Sequence, residues 1–320
     1  MPRPLTLIFA FAALLAEAAT PSSASAQDEL FVTNASSVTV YSRAASGNTA
    51  PARTLAGPAT ALGVPGGLAV DTVNDELVVA NDNASITVYT RSAGGNTAPV
   101  RTLAGALTGL TAPLGLAVDT ANDELVVADF NADTVTVYRR TANGNATPLR
   151  TLAGAATGLS TPAGLVVDVA HDELIVANPN VNSITVYARA ASGNAAPTRT
   201  LAGAATGFKF PKGMAVDTLN DELIVTDVNS VKVYRRTASG DTAPLRTLAG
   251  PATGLGAPVG VVVDTVNDEL IVANVSNHSV TVYGRTASGN TAPIRTLTGA
   301  ATGLNGPNFL AVPSRPAPRR

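Results

Sequence analysis

The stretch GLAVDTVNDELVVANDNASITVY, residues 67 to 89, contains three short β-type runs separated by turn residues. A fourth run, PVRTLAG at 99 to 105, follows after the stretch SAGGNTA. Runs rich in Val, Ile, Leu, Thr and Tyr that are bounded by Gly, Asn, Asp or Pro are typical of strands joined by turns. The stretch therefore predicts a four-stranded antiparallel meander with short loops.

The meander recurs along the chain. The tripeptide DEL, which opens the second run, begins at Asp28, Asp75, Asp123, Asp172, Asp221 and Asp268. The copies are 47 to 49 residues apart, and a period in this range is typical of repeat architectures. A single meander cannot bury both of its faces, whereas copies around an axis cover one another. The sequence therefore predicts an all-β, six-bladed β-propeller; a β-helix fits less well, because its coils are usually much shorter.

The two ends of the repeated region complement each other. It opens with a second run, DELFVTN at 28 to 34, and finishes with GPNFLAV at 306 to 312, which matches a first run. We therefore expect residues 309–312 to pair with residues 30–34 and to close the ring. The fourth runs begin with Pro and carry Arg, which suits outer edge strands. The predicted outer strands are 51–57, 99–105, 148–154, 197–203, 244–250 and 293–299.

The first and last residues are predicted to lie outside the propeller. An apolar run at 5–15, followed by small residues up to Ala26, indicates a signal peptide over 1–26 that is cleaved after Ala26. A retained anchor is the alternative, but the run is shorter than the roughly 20 residues of a membrane-spanning helix. We therefore expect a secreted or periplasmic protein with its propeller at 27–313 and a disordered basic tail at 314–320.

The composition excludes several classes of partner and site. The chain has 21 basic and 23 acidic residues and a formal net charge of −2, which argues against nucleic acid as a partner, because such binders present a concentrated basic surface. It contains no cysteine, so disulfides and thiolate metal sites are excluded. We expect a monomer without a membrane span in its mature form.

Two motifs resemble a known repeat family. The pattern PxGLAVDxxNDELxVAN resembles the repeat of the NHL family of six-bladed propellers, and FVTNASSVTVY at 31 to 41 resembles the related YVTN-type bacterial propeller repeat. The resemblance covers essentially the whole mature chain. It implies the architecture but no single activity, because such propellers include protein-binding, nucleic-acid-binding, carbohydrate-related and lyase members, and the fold does not choose among them.

Residues that occur in every copy are interpreted as structural. We expect the six tyrosines to pack between blades with their hydroxyls reaching the rim. They are Tyr41, Tyr89, Tyr138, Tyr187, Tyr234 and Tyr283. The arginine two residues after each tyrosine is expected to form an ion pair across the hairpin, as Arg91 would with Asp75 or Glu76.

One ring of polar residues has two interpretations. Each second run ends in an amide or a carboxylate, at Asn34, Asn81, Asp129, Asn178, Asp227 and Asn274. Six oxygen-bearing side chains around a channel mouth would suit a hard cation such as Ca²⁺, with Asp129 and Asp227 supplying charge. The alternative is one Asx turn in each blade.

The departures from the repeat mark a second candidate site. The segment GFKFPKG at 207 to 213 replaces the usual GLxxPxG, and Phe130 has no counterpart in other copies. Both lie in loops at the same predicted face. We therefore expect Phe130, Phe208, Lys209, Phe210 and Lys212 to form a patch that binds a protein, an anion or a sugar, although a few exposed aromatics can also arise without a function.

No catalytic constellation accompanies these motifs. His171 and His278 lie in different loops, and the sequence has no nucleophile elbow, HExxH motif or phosphate-binding loop. Our leading hypothesis is a secreted, non-catalytic scaffold that binds a protein, glycan or cell-envelope ligand through its loop-rich channel face. The alternative is a metal-dependent lactonase or lyase that uses Asp129, Asn178 and Asp227.

Overall fold

A computed structural model describes residues 28–313. The predicted signal peptide at 1–26 and the predicted tail at 314–320 therefore lie outside the described residues. Within the described range, no helix is long and apolar enough to cross a membrane.

Six four-stranded antiparallel sheets form the blades of a ring. The strands of the first three blades are β1 (Glu29–Asn34), β2 (Ser37–Ser42), β3 (Arg53–Leu55), β4 (Pro65–Asp71), β5 (Glu76–Asn81), β6 (Ser85–Thr90), β7 (Arg101–Ala104), β8 (Pro113–Asp119), β9 (Glu124–Asp129), β10 (Thr134–Arg139) and β11 (Arg150–Leu152). Those of the next three are β12 (Leu165–Asp168), β13 (Glu173–Asn178), β14 (Ser183–Ala188), β15 (Arg199–Leu201), β16 (Met214–Asp217), β17 (Glu222–Asp227), β18 (Ser230–Arg235), β19 (Arg246–Ala249), β20 (Pro258–Asp264), β21 (Glu269–Asn274), β22 (Ser279–Gly284) and β23 (Arg295–Thr298). The last strand is β24 (Leu310–Ala311).

Single 3₁₀ turns connect each outer strand to the inner strand of the following blade. They are Pro58–Thr60, Ala106–Thr108, Ala155–Thr157, Ala204–Thr206, Pro251–Thr253 and Ala300–Thr302. A further 3₁₀ turn, Pro179–Val181, lies in the loop between β13 and β14.

The order of strands confirms the predicted propeller and its closure. In blade 2 the order from the axis outward is β4-β5-β6-β7, and in blade 1 it is β24-β1-β2-β3. The closing strand pairs Leu310 with Val32 and Ala311 with Phe31. The outer strands are shorter than predicted, with three or four residues instead of seven. The opening prolines have no N–H to donate to the ladder, and at the other end the chain leads into a 3₁₀ turn.

Alternate side chains of each blade face opposite neighbours. In β5, Leu77 and Val79 pack with Tyr89 against blade 1, whereas Val78 and Ala80 pack against blade 3. Side chains alternate across a strand, so both faces of β5 are buried between blades. The hydrophobic core is therefore divided into six clusters, one at each junction between blades.

The six tyrosines lie in these junctions and are essentially unexposed. Their predicted position between blades is confirmed, but the predicted reach to the rim is wrong. Tyr187 donates its hydroxyl hydrogen bond to the backbone carbonyl of Thr157 at 2.6 Å, and Tyr89 does the same to Thr60 at 2.5 Å. Each tyrosine thus fixes the 3₁₀ turn that leads into its blade, and burial raises the pKa of Tyr187 to about 12.

The arginines after the tyrosines link neighbouring blades. The predicted pairs within a hairpin are present, as between Arg189 and Asp172 at 2.9 Å. The same guanidinium also reaches Asp119 of the preceding blade at 2.9 Å. The equivalent link across the closure joins Arg43 of blade 1 to Asp264 of blade 6 at 2.9 Å, and Arg43 also donates to the backbone carbonyl of Pro313.

The Gly-Asn pairs of the outer loops, and the Gly-Asp pair of blade 5, form a second link, which sequence reasoning treated only as turns. Gly95 of blade 2 forms a parallel bridge with Leu55 on the outer strand of blade 1. The neighbouring Asn96 accepts a hydrogen bond from the backbone N–H of Ala59 at 2.7 Å. Six such bridges run around the ring, so each outer edge is covered by the next blade.

Glycines of the inner strands permit the closest approach of neighbouring blades. A Cβ added to Gly115 would lie well inside van der Waals contact of the Ala163 carbonyl oxygen, and one added to Gly164 would meet the Lys212 carbonyl in the same way. Backbone atoms cannot move aside as a flexible side chain can. The width of the axis therefore depends on these positions remaining glycine.

We expect Gly115→Ala to lower the free energy of unfolding by about 1–3 kcal/mol, because overpacking a rigid junction costs this much. Gly284→Ala is the matched control, since nothing lies within 4 Å of its added Cβ. Urea unfolding of the three proteins measures the difference. An equal loss of unfolding free energy in both variants would contradict a close contact at Gly115.

We expect Arg43→Met to lower the free energy of unfolding at pH 7 by about 3–5 kcal/mol, because it leaves the buried Asp264 carboxylate unpaired. Burial alone would raise the pKa of Asp264, but the Arg43 guanidinium and Asn267 outweigh it and hold the pKa below the ordinary 3.8. A lowered pKa gives stability that is present above pH 3.8 and is lost as the pH falls through the folded-state value. The difference in unfolding free energy between the native protein and Arg43→Met should therefore shrink in that acidic range.

Chemical unfolding from pH 7 to pH 2.5 measures this difference, with Arg139→Met as the control, because Arg139 is exposed. A gap between native and Arg43→Met that stays constant down to pH 2.5 would contradict the assigned role of the pair.

Candidate functional site

A cavity of about 480 Å³ lies at one mouth of the propeller axis. Its walls come from the loops that lead into the inner strands and from the loops between second and third strands. The aromatic part consists of Phe130, Phe210 and Phe309, and aliphatic side chains such as Leu114 and Val259 extend it. Its volume is in the range of small-molecule sites, which are mostly apolar with a few polar groups.

The residues that line the cavity differ from one repeat to the next. The variable position of the PxG motif, which precedes each inner glycine, holds Gly66, Leu114, Ala163, Lys212, Val259 and Asn308 in the six blades. Five of the glycines that follow are retained, but Phe309 occupies that position in the closing blade. The mouth therefore presents six different chemical groups on a backbone that is nearly six-fold symmetric.

Lys212 is the charged member of this set. Its Nζ lies 5.1 Å from the centroid of the Phe210 ring, in the range of a cation–π contact. Burial lowers the pKa of its ammonium. Among residues 28–313, no carboxylate lies within ion-pair distance of Lys212, whereas Lys232 of the same blade pairs with Asp227.

A narrower chamber of about 120 Å³ lies along the axis below the cavity. Inner-strand glycines and apolar side chains, including Leu116 and Met214, form its wall. Phe309 lines both spaces. The narrower chamber is therefore apolar where it joins the mouth cavity at Phe309.

The structure brings together three of the five residues of the predicted binding patch. Phe130, Phe210 and Lys212 line the mouth cavity. Phe208 does not: it is 8% exposed and packs on Tyr234 with ring centroids 5.2 Å apart, because it replaces the buried leucine of the other copies. Lys209 is exposed and faces a separate groove.

That groove is a second departure from the repeat. It has a volume of about 340 Å³ and is lined by Lys209, Asp227, Asn229 and Lys232. In most blades an asparagine at the end of the second strand donates to a threonine on the third, as Asn178 does to Thr185 at 2.9 Å. The buried pair of Asp227 and Lys232 replaces this bond in blade 5.

The six residues of the predicted metal ring are buried and accept hydrogen bonds from the backbone N–H groups of loop residues. They are Asn34, Asn81, Asp129, Asn178, Asp227 and Asn274, all 2% exposed or less. Asn178 accepts from the backbone N–H of Ser160 at 3.1 Å, and Asp129 accepts from that of Thr111 at 2.6 Å. Their oxygens fix the loop that leads into the inner strand of their own blade. Within 28–313, no group of three or more His, Asp or Glu side chains is arranged to hold a metal ion.

The two histidines also serve local structure. The Nδ1 of His171 lies 2.8 Å from Asp168 Oδ2 in the turn after β12. His278 accepts a hydrogen bond from the backbone N–H of Gly306 at 2.8 Å. The two histidines lie in different loops, as the sequence indicated, and the structure does not bring them together.

Residues that sequence reasoning missed complete the mouth cavity. They include Asp82, Asn131, Asn308 and Phe309. Asp82 has the appearance of an ordinary turn residue in the sequence. Phe309 did carry a signal, because it stands where the other five copies have the PxG glycine.

Comparisons with known proteins agree with this architecture. The NHL repeat model matches residues 255–283, which span most of the three inner strands of blade 6. A chain from a solved structure described as the crystal structure of a nidogen/laminin complex superimposes with a TM-score of 0.61 and 16% sequence identity, over 88% of this chain and 97% of that chain. This likeness concerns the fold. A search of curated proteins found no match.

The repeat motif, the four-stranded blades, the closure by β24 and the family-model match agree with one another. The chain is a six-bladed β-propeller, and residues 255–283 in its sixth blade match the NHL repeat.

Proposed function

We propose that this chain is a secreted, non-catalytic binding propeller that holds a protein, glycan or other cell-envelope ligand at its mouth cavity. One observation carries the proposal: at the place where the repeat is least regular, the cavity gathers three aromatic rings and an ammonium that has no carboxylate partner among residues 28–313. Aromatic and cationic groups in a concave surface are typical of ligand sites. The location outside the cytoplasm follows from the predicted signal peptide.

The fold is compatible with protein binding. The similar chain of the nidogen/laminin structure comes from a complex, and loops held by a rigid scaffold are the usual place for recognition. The partner of the present chain is proposed from the chemistry of its own cavity.

The contacts of the three ligands that the lactonase alternative requires support the binding proposal. That alternative needs Asp129, Asn178 and Asp227 around one ion, and these residues belong to blades 3, 4 and 5. Asp227 is already neutralised by Lys232 and accepts from the backbone N–H of Phe210 at 2.6 Å. The three side chains therefore act separately, as loop anchors.

We expect the double variant Phe130→Ser, Phe210→Ser to bind the aromatic probe anilinonaphthalene sulfonate at least about tenfold more weakly than the native protein, because two apolar contacts are lost. Val100→Ser, Leu149→Ser is the matched control, since these apolar side chains lie on the outer rim and are 58% and 50% exposed. Fluorescence titration measures the affinity, and capture of envelope components on the immobilised proteins should follow the same order. Equal binding by all three proteins would contradict a site at the mouth.

We expect Ca²⁺, Mg²⁺ and Zn²⁺ to leave the melting temperature unchanged, because the ring oxygens already accept protein hydrogen bonds. A bound ion at a hundredfold excess over its Kd would stabilise the fold by about 2.7 kcal/mol. Thermal unfolding with each ion tests this. A rise in the native protein that is lost in Asp227→Asn would support the metal-dependent alternative instead.

A further inference from the structure

We infer that the mouth cavity binds the free carboxyl end of a short apolar peptide segment, with the carboxylate on Lys212. The inference rests on the proposed binding role of the same face and names its ligand class. Lys212, Asp82 and the two asparagines of the cavity carry it.

The ammonium of Lys212 is positioned to receive an anion. It is half-buried, it lies over the Phe210 ring at 5.1 Å, and within the described residues no carboxylate neutralises it. A partly desolvated cation gains more from an incoming anion than a fully hydrated one does. Neighbouring cations differ in this respect, because Lys232 pairs with Asp227 and Lys209 is exposed to solvent outside the cavity.

An acidic group lies on the opposite side of the same cavity. Asp82 belongs to blade 2 and Lys212 to blade 5, three blades apart in a ring of six and therefore across the axis from each other. Within the part of the chain that the structure describes, the Asp82 carboxylate accepts one long hydrogen bond, from the backbone N–H of Val64 at 3.4 Å. The cavity therefore has a positive and a negative end, which matches the polarity of a peptide with both termini free.

The middle of the cavity also suits a peptide. Asn131 and Asn308 line it, and their amides can both donate to and accept from peptide groups, while Phe130 and Phe309 offer apolar contact to side chains. A fatty acid would leave both amides and Asp82 unmatched. A sphere of about 480 Å³ is about 10 Å across, which corresponds to three extended residues at roughly 3.3–3.6 Å each.

Two sources supply the same chemistry. A free tripeptide would use both charged ends, whereas the carboxyl terminus of a protein would use Lys212 alone, because its chain continues out of the mouth. Blocking the peptide amine separates the two sources without altering the carboxylate contact.

Calorimetric titration of the mature protein with the tripeptides Ala-Phe-Ala and Ala-Leu-Ala tests the inference. Each peptide is used as the free acid, as the carboxy-terminal amide and as the amino-terminal acetyl derivative. We expect the free acids to bind with one site per chain, and we expect the amides to bind at least tenfold more weakly. Lys212→Met and Lys212→Gln should weaken binding of the free acid to the same extent. Lys209→Met, two residues away and outside the cavity, should bind as the native protein does.

The acetylated peptides and Asp82→Asn then identify the source. A several-fold loss with either change indicates a free short peptide, and unchanged affinity indicates a protein terminus. Amides that bind as well as acids, full affinity in Lys212→Met, or no binding of any free acid would overturn the inference.

These failures are distinguishable from failure of the proposed function. If the carboxylate has no effect but the Phe130→Ser, Phe210→Ser protein still loses the aromatic probe, the mouth remains a binding site for another ligand. If that double variant keeps the probe and its envelope partners, the binding role of the face is itself wrong. Melting temperatures of the lysine variants confirm that each one is folded.

Discussion

The contact of each inner glycine with the backbone of the next blade sets the dimensions of this propeller. Gly67, Gly115, Gly164 and Gly213 leave no room for a Cβ beside the neighbouring carbonyl oxygen. Inner strands therefore meet backbone to backbone, and the channel along the axis narrows to a small apolar chamber. The channel is wider above the level of the glycines. The mouth cavity lies at this level, lined by the residues that precede the glycines.

Polar links outside the axis hold this arrangement in register. Tyrosine hydroxyls fix the 3₁₀ turns, arginines join carboxylates of adjacent blades, and Gly-Asn loops cover the outer edges. Each link connects one blade with its neighbour, as expected for a repeat protein whose stability is a sum of nearest-neighbour interfaces. The junction between blades 1 and 6 uses the same links as the others. Joining the two ends of the chain therefore needs no special chemistry beyond the short strand itself.

Repetition made the fold predictable, and it explains which details were missed. The period, the strand order and the closing strand follow from patterns that six copies repeat. The burial of the asparagine ring was not foreseen, because the alternation of side chains along the strand was not followed: Asn81 lies on the same side of β5 as Leu77 and Val79, which pack between blades. Phe208 likewise occupies a column of buried leucines. Phe130, Phe210 and Lys212 were found from their departure from the repeat, but the relation of Asp82 to Lys212 across the axis depends on ring geometry, which no local motif contains.

The isolation of Lys212 is hard to explain by stability. This half-buried ammonium loses hydration, and among the described residues it gains the Phe210 ring but no carboxylate in return. The arginines at the ends of the third strands, such as Arg189, have carboxylate partners from their own and the preceding blade, so the fold can supply such partners at a junction. At the equivalent position the other blades hold Gly66, Leu114, Ala163, Val259 or Asn308, none of which carries a charge. The scaffold therefore does not require a cation there. The proposed anion from outside the chain would be the partner that the fold does not provide, and the aromatic walls favour an anion carried on an apolar body.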